Sequence, residues 1–280
     1  MRRSCRRSPM KALFDSLRRH AGLLWMLVVQ DIASSYRKTL LGLVWILLLP
    51  LLFIFTFTFV RLVLMGGRYN VWEASLEASV GLPDVALAIF AGLIVFWMAS
   101  ETVTRCTGAV ASGGTYITEM RFPLEILVLS VFGVTFVHTC ARLVLFLAGV
   151  VVFGRGIPAT ALLLPIVFLP MIVGTIGVGF LFAAVGAFVR DLQMVVGVAM
   201  TALLFLSGVI FPISRVPAPY DQWLALNPIA VTIDQVRAVA LWGRAPDWLE
   251  LGLLFIVALV VLEFGVGVFR RLQGRFADVV

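Results

Sequence analysis

Only a handful of side chains in this sequence could do chemistry, and most stand inside apolar runs. Glu101 and Arg105 are four residues apart, as are His138 and Arg142, while Glu263 sits alone in the last apolar stretch. At that spacing Glu101 and Arg105 share one helix face and are expected to pair. His138 and Arg142 would serve a proton relay only with a carboxylate at their own depth, and the sequence offers none at the level of Arg142. Lining a polar conduit and snorkelling to the nearer interface stay open for them. Glu263 has no cation on its own helix nearer than Arg270. The dipeptide Gly-Lys does not occur, so there is no phosphate-cradling GxxxxGK[ST] loop; HExxH, GxSxG and metal-spaced Cys/His clusters are missing too. Cys5, Cys106 and Cys140 form no CxxC pair and are expected as free thiols. The expectation is a chain that binds no cofactor and is powered, if it does work, by another chain.

The elements that hold these residues are membrane elements. Of the 280 residues 61% are hydrophobic and 13% charged, with a mean hydropathy of +1.07; soluble domains carry roughly a quarter charged residues. The net charge of +7 rests on Arg, since Lys occurs only at Lys11 and Lys38. Next to apolar runs this charge reads as orientation and lipid attraction, with no nucleic acid implied. The fold class is all-α and polytopic, with six transmembrane helices. The spans fall at about 40–64 (kinked near Pro50), 85–104, 124–153, 159–189, 194–211 and 249–269, with a polar connection over 107–123. Residues 1–39 are a basic segment with an interfacial helix, on which Leu24, Leu27, Val28 and Ile32 share a face. A signal peptide is the competing reading, opposed by Gln30 and Asp31 in its core. Met10 is an alternative start. Most cationic residues outside the spans collect on the side of Arg37, Lys38, Arg105, Arg121 and Arg190, so both termini are placed in the cytoplasm, with a tail over 270–280.

Two further patterns concern packing and lining. Phe53, Phe55, Phe57 and Phe59 recur at steps of two and point to at least two faces; ordinary packing and an aromatic lining at Phe53 and Phe57 both fit. Thr175, Gly179, Ala183 and Ala187 form a small-residue stripe that lets helices approach closely.

Residues 212–243 are the least ordinary stretch. Pro212, Pro217 and Pro219 mark a turn, and two short helical pieces follow, Tyr220–Leu226 and Pro228–Trp242. Asn227 before Pro228 is a helix start, Asn capping free N–H groups and Pro standing where its missing N–H costs nothing. The second piece carries Asp234, Gln235 and Arg237 and is too short to cross a core of about 30 Å. It is expected to dip in and return as a re-entrant hairpin between spans 5 and 6, a lid over a path. An amphipathic helix lying flat on the membrane is the alternative.

In order, these local patterns resemble the membrane subunits of ABC-2 type exporters, in particular their polysaccharide (O-antigen, capsule, teichoic-acid) branch. Tyr36-Arg37-Lys38 with Leu41-Gly42, Trp45 and Pro50 is similar to that family's basic approach to its first span. Met120-Arg121-Phe122-Pro123 with Glu125 and Leu127, and Val189-Arg190-Asp191, match inner connections. Ser207 through Pro212, Val216-Pro217, Trp223, Asn227-Pro228 and Arg237 resemble its fifth span and outer gate, and Phe276-Ala277-Asp278-Val279 its tail. Gly208 departs from the pattern, standing where many relatives carry Pro, which is expected to loosen the top of the fifth span.

The resemblance implies a homodimer in a bacterial inner membrane with a conduit on its axis. Two copies of a separate ATPase would supply ATP and magnesium chemistry, and a lipid-linked polysaccharide would be the cargo. It also implies ATPase coupling through Ser112, Gly113, Gly114, Thr115, Tyr116, Ile117, Thr118 and Glu119. Arg37 and Lys38 would meet anionic headgroups of substrate and membrane lipids. Pro212, Tyr220, Trp223, Asn227, Pro228 and Arg237 would form the outer gate. Export of small molecules or drugs by the same architecture is the alternative. A membrane-embedded glycan-modifying enzyme would need an acid or His cluster at one depth, and a stand-alone carrier would need ion-coupling residues.

Overall fold

The computed structural model describes residues 9–37, 41–60, 63, 82–112, 123–153, 156–210 and 220–278. Ten α-helices are described: α1 (Pro9–Arg19), α2 (Ala21–Arg37), α3 (Trp45–Phe59), α4 (Leu82–Ser112), α5 (Leu124–Val152), α6 (Leu164–Gly186), α7 (Leu192–Leu206), α8 (Tyr220–Ala225), α9 (Pro228–Ala240) and α10 (Trp248–Leu272). Four helices, including α6 with the 3-10 turn before it, are long and apolar enough to cross a membrane; α3 and α7 are apolar but only 15 residues each. The polytopic all-α expectation holds at that level. The second span is longer than read, because α4 starts at Leu82 and runs to Ser112. Thr107–Ser112 is therefore helix and not connection, its hydroxyls bonding back to their own turns (Thr107 Oγ1 to Val103 O, 2.7 Å). The N-terminal segment is two helices, broken at His20, and α2 lies against α5 with Val28 buried opposite Gly133.

α4 is the centre of the bundle. Ile89, Leu93, Ile94, Met98, Thr102, Cys106 and Val110 are all fully buried, and α3, α5, α6, α7 and α9 pack round it. A helix apolar on every side can only sit inside other helices or lipid. One core cluster, from Val85 to Leu251, fills the end of the bundle that holds α9. A second, from Leu13 to Phe276, fills the opposite end under α1 and α2.

Glycine sets two of the crossings. A Cβ at Gly177 of α6 would lie 2.6 Å from Leu262 Cα on α10, and one at Gly265 would run into the Gly177 carbonyl. The expected stripe is buried on the other side of α6, where Gly179 touches Cys106 Sγ and Ala183 is fully enclosed. Both stripes thus pack within the subunit, by van der Waals contact that needs small residues. Replacing Gly265 by Ala is expected to cost about 1–3 kcal/mol through overpacking. A lower melting temperature of the detergent-solubilised protein, followed by size-exclusion chromatography, checks this.

Candidate functional site

Two polar assemblies stand out in the apolar bundle. The first joins α9 to the end of α7. Asn227 Oδ1 accepts from Ile229 N at 3.0 Å, capping α9 as its sequence foretold. Its Nδ2 donates to Ser207 Oγ at 3.0 Å and so ties the helix start to the last turn of α7. After Leu206 the chain leaves the helix, and Gly208 takes φ +67. That angle is open to Gly and closed to Pro, whose ring holds φ near −65°.

Arg237 closes this junction. It is the largest fully buried side chain among the described residues. Nε donates to Ala88 O of α4 at 2.9 Å, Nη1 to Gly208 O at 3.0 Å and Nη2 to Val209 O at 2.8 Å. Asp234 lies 3.4 Å from Nη1 and balances part of the charge; burial raises the Asp234 carboxyl above its ordinary range while Arg237 pulls it down. Gly92 leaves the room, since a Cβ there would stand 2.9 Å from Nη2. Gly208 is therefore not loose, as read from the sequence: a guanidinium holds its carbonyl. The far end of α9 is tied as firmly. Gln235 donates to Glu250 at 2.9 Å and accepts from Asp247 N at 2.8 Å, and Thr160 donates to Val239 O at 2.7 Å. Of the other gate residues, Tyr220 and Trp223 are exposed, as is Pro228, and Pro212 lies outside the described residues.

The second assembly lies deeper. Glu101 of α4 accepts from Arg142 of α5, and its second oxygen is 3.5 Å from His138 Nδ1. On the other side of the ring, Nε2 is in hydrogen-bond contact with the Tyr36 hydroxyl of α2 at 3.2 Å. Burial and then Glu101 raise the Tyr36 phenol above its usual value, with Arg142 and Arg105 opposing. Arg142 lies over the Trp97 ring at 4.9 Å, and Trp97 meets Phe53 edge-on at 5.3 Å. Two expectations fail here. Glu101 does not pair with Arg105, because Asp31 of α2 takes Arg105 at 2.5 Å. Arg142 does have a carboxylate at its depth, on the neighbouring helix. A single sequence shows i,i+4 neighbours, and the antiparallel register of α4 and α5 is invisible to it. Glu125 likewise pairs across helices, with Arg270 at 2.6 Å.

Phe53 and Phe57 stack with centroids 6.0 Å apart, Phe57 against the core and Phe53 42% exposed; Phe55 and Phe59 form a second stacked pair at 6.2 Å. Arg37 ends α2 and is exposed. Ser112 ends α4, its hydroxyl spent on Gly108 O. Lys38 and residues 113–119 lie outside the described residues.

The model for the ABC-2 type transporter family matches residues 22–241, from the start of α2 through α9. The chain belongs to the ABC-2 type transporter family. As an ABC-2 protein it resembles relatives over nearly their whole length. It is 26% identical over 268 residues to the O-antigen export system permease protein RfbA of Myxococcus xanthus, covering 95% of this chain and 98% of that one. It is 22% identical over 261 residues to RfbA of Klebsiella pneumoniae, covering 92% and 95%. It is 25% identical over 248 residues to the polysialic acid transport protein KpsM of Escherichia coli, covering 87% and 91%. In this ABC-2 chain the matched region ends just past Arg237, so the junction built on that residue falls inside it.

Arg237→Gln is expected to strand buried carbonyls at a cost of about 3 kcal/mol or more, with Arg237→Lys recovering part of the loss; thermal melts of the purified protein check both. Glu101→Gln leaves the Arg142 cation without its counterion. Pairing it with Arg142→Met is expected to restore stability by about 1–3 kcal/mol over the single variant, a coupling read from the double-mutant cycle.

Proposed function

We propose that this chain is the membrane subunit of an ATP-driven exporter that carries a lipid-linked polysaccharide across the bacterial inner membrane. The observation that carries the reading is the near end-to-end match to permeases named for O-antigen export and polysialic acid transport. Both names denote long hydrophilic polymers, and a path for such a polymer needs a polar or aromatic route through an apolar bundle. The half-exposed Phe53, on the short helix α3, offers a ring of the kind on which sugars slide, with Phe57 stacked behind it.

In this reading two copies of the chain enclose the conduit, and α3 and α7 complete six crossings per copy. At 13 residues α9 reaches about 20 Å, short of a bilayer, and serves with α8 as a re-entrant outer gate. Its ties to α4, α7 and α10 make it a stiff lever. Both termini lie inside, where Arg18, Arg19, Arg190, Arg270, Arg271 and Arg275 gather. Two copies of a separate ATPase dock at the end of α4, through Ser112 and the residues that follow to Glu119. ATP and magnesium are bound there and not by this chain. Arg37 and Lys38 meet the anionic headgroup of the substrate.

Deletion of the gene is expected to trap lipid-linked glycan on the inner face of the membrane, measured by glycan analysis of inverted vesicles; glycan delivered normally to the surface would overturn the proposal. Tyr116→Asp with Ile117→Asp is expected to abolish co-purification of the ATPase while the membrane subunit still elutes as a folded species. Intact docking would remove the coupling assignment.

A further inference from the structure

Between α2, α4, α5 and the start of α7, at the end of the bundle opposite the gate, lies a cavity of about 450 Å³. That is in the range of roughly 300–1,000 Å³ typical of small-molecule sites. We infer that this cavity holds the headgroup of an aminophospholipid from the inner leaflet, its ammonium at Asp31 and its phosphate at Arg105.

The argument begins with where the cavity lies. Its α2 wall belongs to a helix whose Trp25, Met26 and Val29 are exposed apolar residues, the dress of an interfacial helix. By the distribution of basic residues this is the cytoplasmic side, so phospholipid headgroups are at hand. The lining is mixed in the same sense as a lipid: Leu27, Leu127 and Val131 are apolar, while Gln30, Asp31, Arg105 and Gln193 are polar or charged.

The polar groups then select the ligand. The Asp31–Arg105 pair is not sealed, the side chains being 36% and 33% exposed. One Asp31 oxygen is left over, and Arg105 keeps donors beyond the one given to Asp31. The three serines have each spent their only proton on their own helix: Ser34 on Asp31 O at 3.0 Å, Ser112 on Gly108 O at 2.9 Å and Ser130 on Leu127 O at 2.9 Å. Their oxygens line the cavity as acceptors. Gln30 and Gln193 make no side-chain hydrogen bond among the described residues and bring amide donors. The site thus offers an anion and several acceptors beside a cation and amide donors. A primary ammonium separated from a phosphate by two carbons satisfies both halves at once. A quaternary ammonium has no N–H to give, and a glycerol headgroup has no cation for Asp31.

The test uses the purified full-length chain in nanodiscs containing equal parts phosphatidylethanolamine, phosphatidylcholine and phosphatidylglycerol. After extraction into detergent and washing, the lipid retained by the protein is counted by mass spectrometry. Phosphatidylethanolamine is expected to be retained with about tenfold preference over phosphatidylcholine, the scale of one charge-assisted contact. Asp31→Asn, which keeps size and removes the charge, is expected to flatten that preference. Ser130→Leu fills the cavity without touching the ion pair and is expected to strip the retained lipid altogether, with size-exclusion elution unchanged. Equal retention of all three lipids, a preference that survives Asp31→Asn, or retention unchanged by Ser130→Leu would overturn the inference. So would release of the bound species by a soluble disaccharide, which would make the cavity a sugar site. The inference uses the inner-side orientation but not the cargo: lipid retention can fail while glycan export persists, and the two assays are read separately.

Discussion

A guanidinium enclosed in an apolar bundle has to be answered by oxygen, and the way Arg237 is answered organises the whole gate end of the molecule. Burying an unpaired cation costs several kcal/mol, so the carbonyls of Ala88, Gly208 and Val209 are not decoration. Those of Gly208 and Val209 lie just past the end of α7, where the chain turns both toward one side chain, and α4 adds the third. Gly92 and Gly208 follow from this: the first makes room, the second bends the chain. Three stretches far apart in sequence are joined through one planar group, which only Arg among the side chains can supply.

The deeper assembly works by the same rule with a different answer. There a carboxylate, Glu101, meets Arg142 and His138 together, and Tyr36 and Trp97 complete the shell. Its members come from three helices, so it ties α2, α4 and α5 together at one level. Breaking such a pair by removing one partner costs more than replacing both by apolar groups.

What could be read from the residues, and what could not, divides along range. The Asn227-Pro228 helix start, the small-residue stripe on α6 and the shortness of α9 are local facts, legible because caps and periodicity act within one turn. The partners of Glu101, Arg105 and Arg142 depend on how α2 and α5 lie against α4, and a local rule paired two of them wrongly. Gly208 was misread for the same reason. The partner of its carbonyl, Arg237, lies 29 residues away in sequence, and only the folded chain brings them together. Thr107–Ser112 is polar enough to read as a connection, yet its hydroxyls bond back to carbonyls one turn earlier and the segment stays helical.

The crossing of Gly177 with Gly265 carries one further consequence. Backbone touching backbone leaves no side chain to slide, so α6 and α10 behave as a single beam, and α4 is wedged against it along its small-residue face. A bundle with such a stator can change shape only at its lightly held members. Among those are α3 and α7, short and with much of their apolar surface bare, so they are where a widening of the molecule meets least resistance.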